Sequence, residues 1–184
     1  MAGTNTCYIK FFANVDEASV KSLLASVDEH LAKGVNRFVL MISSGGGTVY
    51  HGLSAYNYLK GLPAEIVTHN FGSVDSIGVV VFSAGSARYS VPHARFLLHG
   101  VQSNFPAGAA LEEKQLEERL KGLRIDTENI AGVIAANSGR SEDEVHQAML
   151  DRTTLNPEQA LEWGLIHEIR EQLLVDSGSF VSIQ

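Results

Sequence analysis

The sequence has one cysteine in 184 residues, Cys7, which excludes an internal disulfide and a multi-cysteine metal site. Cys7 falls in the apolar run Cys7-Tyr8-Ile9-Lys10-Phe11-Phe12, the setting of a buried structural thiol. Basic residues are also scarce. Against 21 Asp and Glu stand 14 Lys and Arg, giving a net charge of −7 and no basic stripe to neutralise phosphates. Non-specific nucleic-acid binding is thereby excluded. No apolar run approaches the ~20 residues of a membrane span. Met1-Ala2-Gly3-Thr4-Asn5 lacks a basic region followed by an apolar one, so no secretory signal is visible and a cytoplasmic protein is expected. No His-x-Glu-x-x-His and no Cys/His cluster occurs, so neither metal hydrolysis nor any other cofactor is expected. Internal repeats and low-complexity linkers are absent as well.

What is present suits one ordinary globular domain, with 45% hydrophobic and 19% charged residues. The domain is expected to span 1–184, with its core over about 7–170 and a C-terminal tail from 171 to 184, loose around Asp176-Ser177-Gly178-Ser179. Residues 7–12 read as a strand. Asn14 then caps a helix, with Glu17 as its reciprocal partner, that carries Val20, Leu23, Leu24, Val27 and Leu31 at helical spacing and stops at Gly34. Phe38 to Ile42 is all apolar, as in a strand buried on both faces. A helix follows from Thr48 to Gly61, then a strand over 65–69 and a short buried helix behind Ser76 that ends near Gly85. Two extended pieces, 87–89 and 94–99, flank Pro92. Strands and helices alternating in this way predict right-handed βαβ units and a largely parallel sheet. Residues 109–137 form a long charged helix, which Gly122 is expected to bend or break. Helices capped by Ser141 and Asn156 and a strand over 165–169 close the chain.

Two stretches carry possible chemistry. In Gly72-Ser73-Val74-Asp75-Ser76-Ile77-Gly78 a serine stands at a strand-to-helix turn, where glycines permit a sharp bend and a close substrate approach. Ser76 there is either a nucleophile or a plain helix cap. Gly45-Gly46-Gly47 follows a buried strand, and with no Gly-Lys-Ser/Thr behind it a P-loop is excluded. It is either a turn or one side of an oxyanion hole, with Gly47 and Ile77 as the two N–H donors. Of seven histidines, only His99 closes an apolar strand and opens a glycine-containing loop, a frequent position for catalytic groups.

Together these stretches resemble the ClpP-type serine peptidases. Ser-Ser-Gly-Gly-Gly-Thr-Val (43–49) resembles their Asn-Ser-Pro-Gly-Gly-Ser-Val, and Gly72–Gly78 resembles their Gly-x-Ala-Ala-Ser-Met-Gly. Pro92 to His99 resembles Pro-Asn-Ser-Arg-Val-Met-Ile-His, and Glu158 to Ile166 their closing Glu-Ala-x-Glu-Tyr-Gly-Leu-Ile. The resemblance runs in family order over about residues 7–170. It implies an α/β, ClpP/crotonase-like fold of stacked ββα turns with a protruding handle helix. It also implies a serine endopeptidase acting on peptides or unfolded proteins in an oligomeric chamber. Ser76 would be the nucleophile, His99 the general base, and the Gly47 and Ile77 N–H groups the oxyanion hole. The handle would interdigitate between two stacked heptameric rings, and a hexameric AAA+ unfoldase would dock on them.

Three departures accompany it. Thr153 or Arg152 occupies the position of the family's third triad residue, and Asp151, one or two positions away, is the nearest acid. Asp151 or a carbonyl near Thr153 is therefore expected at His99, with Arg152 turned to a subunit interface. The segment ahead of Cys7 is short, from which an open axial entrance and weakened or absent unfoldase coupling are expected. Asp75 replaces a small neutral residue before the nucleophile. The alternative reading is a catalytically weak or inactive structural subunit. A crotonase-like acyl-CoA enzyme is disfavoured because it predicts no Ser–His pair.

Overall fold

A computed structural model describes residues 5–184; Met1 to Thr4, the start of the stretch with no secretory signal and most of the short segment ahead of Cys7, lie outside the described residues. Three parallel strands form the centre, β1 (Thr6–Phe12), β2 (Arg37–Ser44) and β3 (Glu65–Asp75). Each is followed by a helix: α1 (Glu17–Ala32), α2 (Val49–Lys60) and α3 (Ile77–Phe82). The strand β4 (Ala87–Ser90) pairs with the first half of β3, and β5 (Arg95–Leu97) with its second half, both in parallel. β3 is longer than the expected 65–69 because it serves these two neighbours in succession. Helices α4 (Glu113–Ser138) and α5 (Glu142–Leu150) follow, then β6 (Thr154–Leu155), α6 (Pro157–Glu162), β7 (Glu168–Ile169) and β8 (Ser179–Ile183). The resulting eight-stranded sheet is parallel except where β5 meets β6.

Alternation of side chains splits the sheet into two faces. Cys7, Ile9, Phe11, Phe38, Leu40 and Ile42 face the helices and join Leu23, Val27 and Phe82 in the main core. Tyr8, Val39, Met41 and Val67 form a smaller cluster on the other face, covered by Leu173. The C-terminal stretch is therefore structured rather than loose around Ser179. It crosses this face, its Val175 and Asp176 N–H groups donate to the Tyr8 hydroxyl, and β8 pairs with the outer edge of β1. An unpaired β1 edge would be a template for association, and β8 removes it.

Local signals are corrected in places: the strand expected over 165–169 is confined to Glu168–Ile169, and the helix expected from 109 starts at Glu113. The α1 cap is Asp16, whose carboxylate accepts from the Ser19 N–H at 2.9 Å while Ser19 Oγ accepts from the Asp16 N–H at 3.1 Å. Asn14, the expected cap, precedes it and contributes its carbonyl to Ser19 Oγ instead. The long helix runs unbroken through Gly122 from Glu113 to Ser138. Its first buried residue is Ile130, and Leu116, Leu120 and Ile125 stand exposed ahead of it. A helix end that extends beyond the core has room for a glycine.

Arg88 ties the C-terminal third to the sheet. It is 5% exposed, and its guanidinium donates to the carbonyls of Leu165 (2.8 Å), Gly85 (3.1 Å), Asn137 (2.5 Å) and Gly164 (3.3 Å). Burial pulls its pKa below the ordinary arginine range, and the carbonyl cage compensates for the lost hydration. Arg88→Met strands these acceptors. Thermal unfolding is expected to show a loss of about 3 kcal/mol, or roughly 6–12 °C in Tm for a chain of this size.

Candidate active site

The site forms where β3, β5 and the glycine loop meet. Ser76 ends β3 with φ 57° and ψ −129°, a conformation that L-residues other than glycine rarely adopt. Its N–H donates to the Leu97 carbonyl at 2.7 Å, which ties the serine to the strand ahead of His99. Its side chain makes no capping bond to α3, so Oγ is not consumed as a helix cap. That removes the simpler reading of this serine.

The glycines explain the space around Ser76. β2 shifts register against β3 between Ile42 and Ser44, which turns the following loop over the end of β3. Val15 then clamps the loop, donating to the Gly46 carbonyl and accepting from the Thr48 N–H, both at 2.8 Å. At Gly46, φ is 89° and a Cβ would stand 2.7 Å from Ser76 Cβ and 3.3 Å from its Oγ. At Gly47 a Cβ would stand 2.3 Å from the Val15 carbonyl oxygen. Among the described residues, no acceptor engages the N–H of Gly47 or of Ile77. Both N–H groups are free beside a serine whose hydroxyl is uncapped.

His99 follows the end of β5 by two residues, and between them Leu98 donates its N–H to the Thr153 carbonyl at 2.9 Å. The His99 Nδ1 lies 2.8 Å from the Gly100 carbonyl oxygen. A carbonyl only accepts, so Nδ1 is the donor in this contact. Ser76 and His99 line one cavity of about 150 Å³. Its far wall is apolar, with Val49, Leu98, Ile130, Ile134 and Met149, and Gln102 and Asn104 stand on its polar side.

Asp151 is not brought to this cavity. It is exposed at the C-terminal end of α5, where its carboxylate accepts from Gln147 Nε2 at 2.9 Å. The Thr153 carbonyl is engaged one residue short of the imidazole, by the Leu98 N–H. Arg152, in the left-handed region at φ 54°, is exposed beside it. The carbonyl that reaches the imidazole belongs to Gly100, inside a loop whose sequence carries no sign of that role. Asp75 is 6% exposed and faces away from the cavity, pairing with Arg95 at 2.7 Å. Among the described residues no group of His, Cys, Asp and Glu is arranged to hold a metal ion.

The Clp protease family model matches residues 9–173. The chain is 26% identical over 167 residues to the ATP-dependent Clp protease proteolytic subunit 1 of Leifsonia xyli subsp. xyli, covering 90% of this chain and 81% of that protein. It is 29% identical over 160 residues to the ATP-dependent Clp protease proteolytic subunit 2 of Corynebacterium efficiens, covering 85% and 78%. Among solved structures, a mutant ClpP1 from Listeria monocytogenes superposes with a TM-score of 0.78 over 90% of this chain and 91% of that one, at 21% identity. That likeness establishes the α/β ClpP/crotonase-like fold.

Gly46→Ala tests the packing behind the serine. The added methyl meets Ser76 Cβ, and the positive φ adds strain of about 1–3 kcal/mol. The expected result is a folded protein whose Ser76 reacts at least a hundredfold more slowly with a fluorophosphonate, read by intact mass. The circular dichroism spectrum should be unchanged.

Proposed function

The chain belongs to the Clp protease family and is a divergent serine-type peptidase of it; from that premise we propose that Ser76 is the nucleophile, His99 the general base, and the Gly47 and Ile77 N–H groups the oxyanion hole. The observation that carries this reading is the Ser76 backbone, held in a strained conformation with Oγ uncapped, in the same cavity as an Nδ1-protonated imidazole. In the proposed reaction His99 Nε2 accepts the Ser76 proton as Oγ attacks the scissile carbonyl. The tetrahedral oxygen takes its charge between the two N–H groups. The imidazolium then delivers the proton to the departing amine, and water repeats the sequence on the acyl-enzyme. Gly100 holds the imidazole in the tautomer these steps need. Asp151 has no part in them.

The substrates are peptides, and the protein is a ring-forming homo-oligomer, as its family implies. We propose further that one peptidase domain runs from β1 through β8, that the protein works in the cytoplasm, and that two heptameric rings stack through α4. The exposed Leu116, Leu120 and Ile125 support that last step. Among the described residues no helix is long and apolar enough to cross a membrane.

Two measurements test this. On one peptide substrate, Ser76→Ala is expected to abolish hydrolysis and fluorophosphonate labelling, while Asp151→Asn stays within twofold of the parent. Hydrolysis that survives Ser76→Ala unchanged would transfer the reading to a structural subunit. Light scattering at micromolar concentration is expected to show a particle of about fourteen chains, and deletion of 113–129 to leave at most single rings. A clean monomer would overturn the assembly.

A further inference from the structure

Ser76 and His99 sit at the ends of two strands that touch only briefly. The register between them is Ser73 with Arg95, Val74 with Phe96 and Asp75 with Leu97, followed by the Ser76 N–H bond to Leu97. The other neighbour of β5 is the two-residue β6. So short a ladder leaves the spacing of the two side chains dependent on whatever else fixes β5.

The side-chain hydrogen bonds that do so converge on one residue. Arg95 donates through Nη2 to Asp75 Oδ2 at 2.7 Å and through Nε to Ser73 Oγ at 3.2 Å. Its carbonyl accepts from Asn70 Nδ2 at 2.8 Å. The Asp75 side chain is 8% exposed, and its second oxygen, Oδ1, is shut from solvent with no partner among the described residues. A carboxylate buried with one of its oxygens unmatched costs stability. Asp75 stands one residue before the proposed nucleophile.

The surroundings isolate that charge. The cavity on Asp75's side of the glycine loop, about 390 Å³, is lined by Asn14, Ser43, Ser44 and Ser73, with Asp75 and Arg95 as its only charged groups. On the other side, among the described residues, His99 is the only titratable side chain lining the cavity it shares with Ser76. Among those residues it has a neutral carbonyl at Nδ1 and no carboxylate in contact, while a buried carboxylate stands beside the serine.

We propose that the Asp75–Arg95 pair is the positioning device of the Ser76–His99 dyad. Arg95 sets the register of β5 on β3, and the balance of the two charges sets the ease with which His99 becomes a cation. This rests on the dyad assigned above. Asp75 touches no reacting atom and is a positioning residue, not a catalytic one.

The test uses the full chain as assembled, with Arg95→Met, Asp75→Asn, the double variant and Arg95→Lys. Read-outs are kcat, KM, the acid limb of the kcat/KM profile, and Tm. Arg95→Met leaves the Asp75 anion uncompensated, which favours positive charge at His99, so the acid limb moves to higher pH. Asp75→Asn leaves the cation uncompensated, so the limb moves to lower pH. Each shift is expected to be roughly 0.5–1 pH unit for charges near but not touching the imidazole, and the double variant restores the limb. Arg95→Lys keeps the charge but loses the fork, so kcat is expected to fall about tenfold with the limb in place and KM within threefold. Limbs that stay fixed while Tm and kcat fall together would reduce the pair to a structural tie and overturn the proposal, as would four variants that all behave like the parent. Ser76→Ala, run alongside, separates the two readings. If it retains full hydrolysis, the dyad itself falls and this inference with it. If only the Asp75 and Arg95 results fail, the dyad stands alone.

Discussion

The N–H of Ser76 bonded to the Leu97 carbonyl is the contact on which the rest of the site depends. It closes the last rung between β3 and β5. In doing so it holds a serine at positive φ, where an isolated chain would not leave it. The strain persists because everything around it is determined independently. Val79 donates to the Ser76 carbonyl to start α3, Val74 and Ile77 are buried on either side, and Gly46 leaves no space behind the Cβ.

The fold supplies these constraints through close approaches that only glycine permits. Gly47 lies against the Val15 carbonyl, and a Cβ at Gly52 of α2 would meet Ile77 Cγ1 at 2.3 Å. The first contact sets the glycine loop on the link between β1 and α1, and the second seats α2 on the start of α3. The N–H groups of Gly47 and Ile77 are thus positioned by packing in two different layers. If these two N–H groups form the proposed oxyanion hole, neither has to be ordered when substrate arrives.

Much of this was legible in the chain. The all-apolar Phe38–Ile42, the helical spacing of Val20 to Leu31, and Pro157 behind an Asn cap each stated an element through its own residues. The proposed Ser76, His99, Gly47 and Ile77 stand in a turn, past a strand end and in a glycine run, each of which leaves a sequence signature. The misses share a physical character. Asp16 displaced Asn14 as the α1 cap because both are good caps, and a one-turn choice between them depends on Ser19 answering back. β8 was hidden because Ser179–Ile183 carries weak alternation, and its partner edge is 172 residues away in sequence, from Cys7 to Ser179. The Gly100 carbonyl has no side chain to announce it. Asp75 was visible as an anomaly, but its partner Arg95 is a matter of strand register, which the sequence alone does not specify.

Replacing a triad acid with a carbonyl has a smaller effect than the usual comparison suggests. In serine-protease triads, exchanging the acid for its amide costs about 10⁴ in rate, because the amide enforces the wrong imidazole tautomer. The Gly100 carbonyl cannot do that, since an acceptor at Nδ1 permits only the protonated form of that nitrogen. What His99 lacks is the charge-assisted part of the bond in its cationic state. A hydrogen bond to a charged group exceeds a neutral one by about 1–2 kcal/mol, which is roughly a factor of 5–30 in rate. A dyad of the proposed kind, held this way, would keep its orientation and lose only this charge-assisted part. That shortfall is a matter of electrostatic field rather than of contact. A buried carboxylate that never touches the imidazole, such as Asp75, can therefore offset part of it, and the half-exposed Arg95 bound to it sets how much of that field remains.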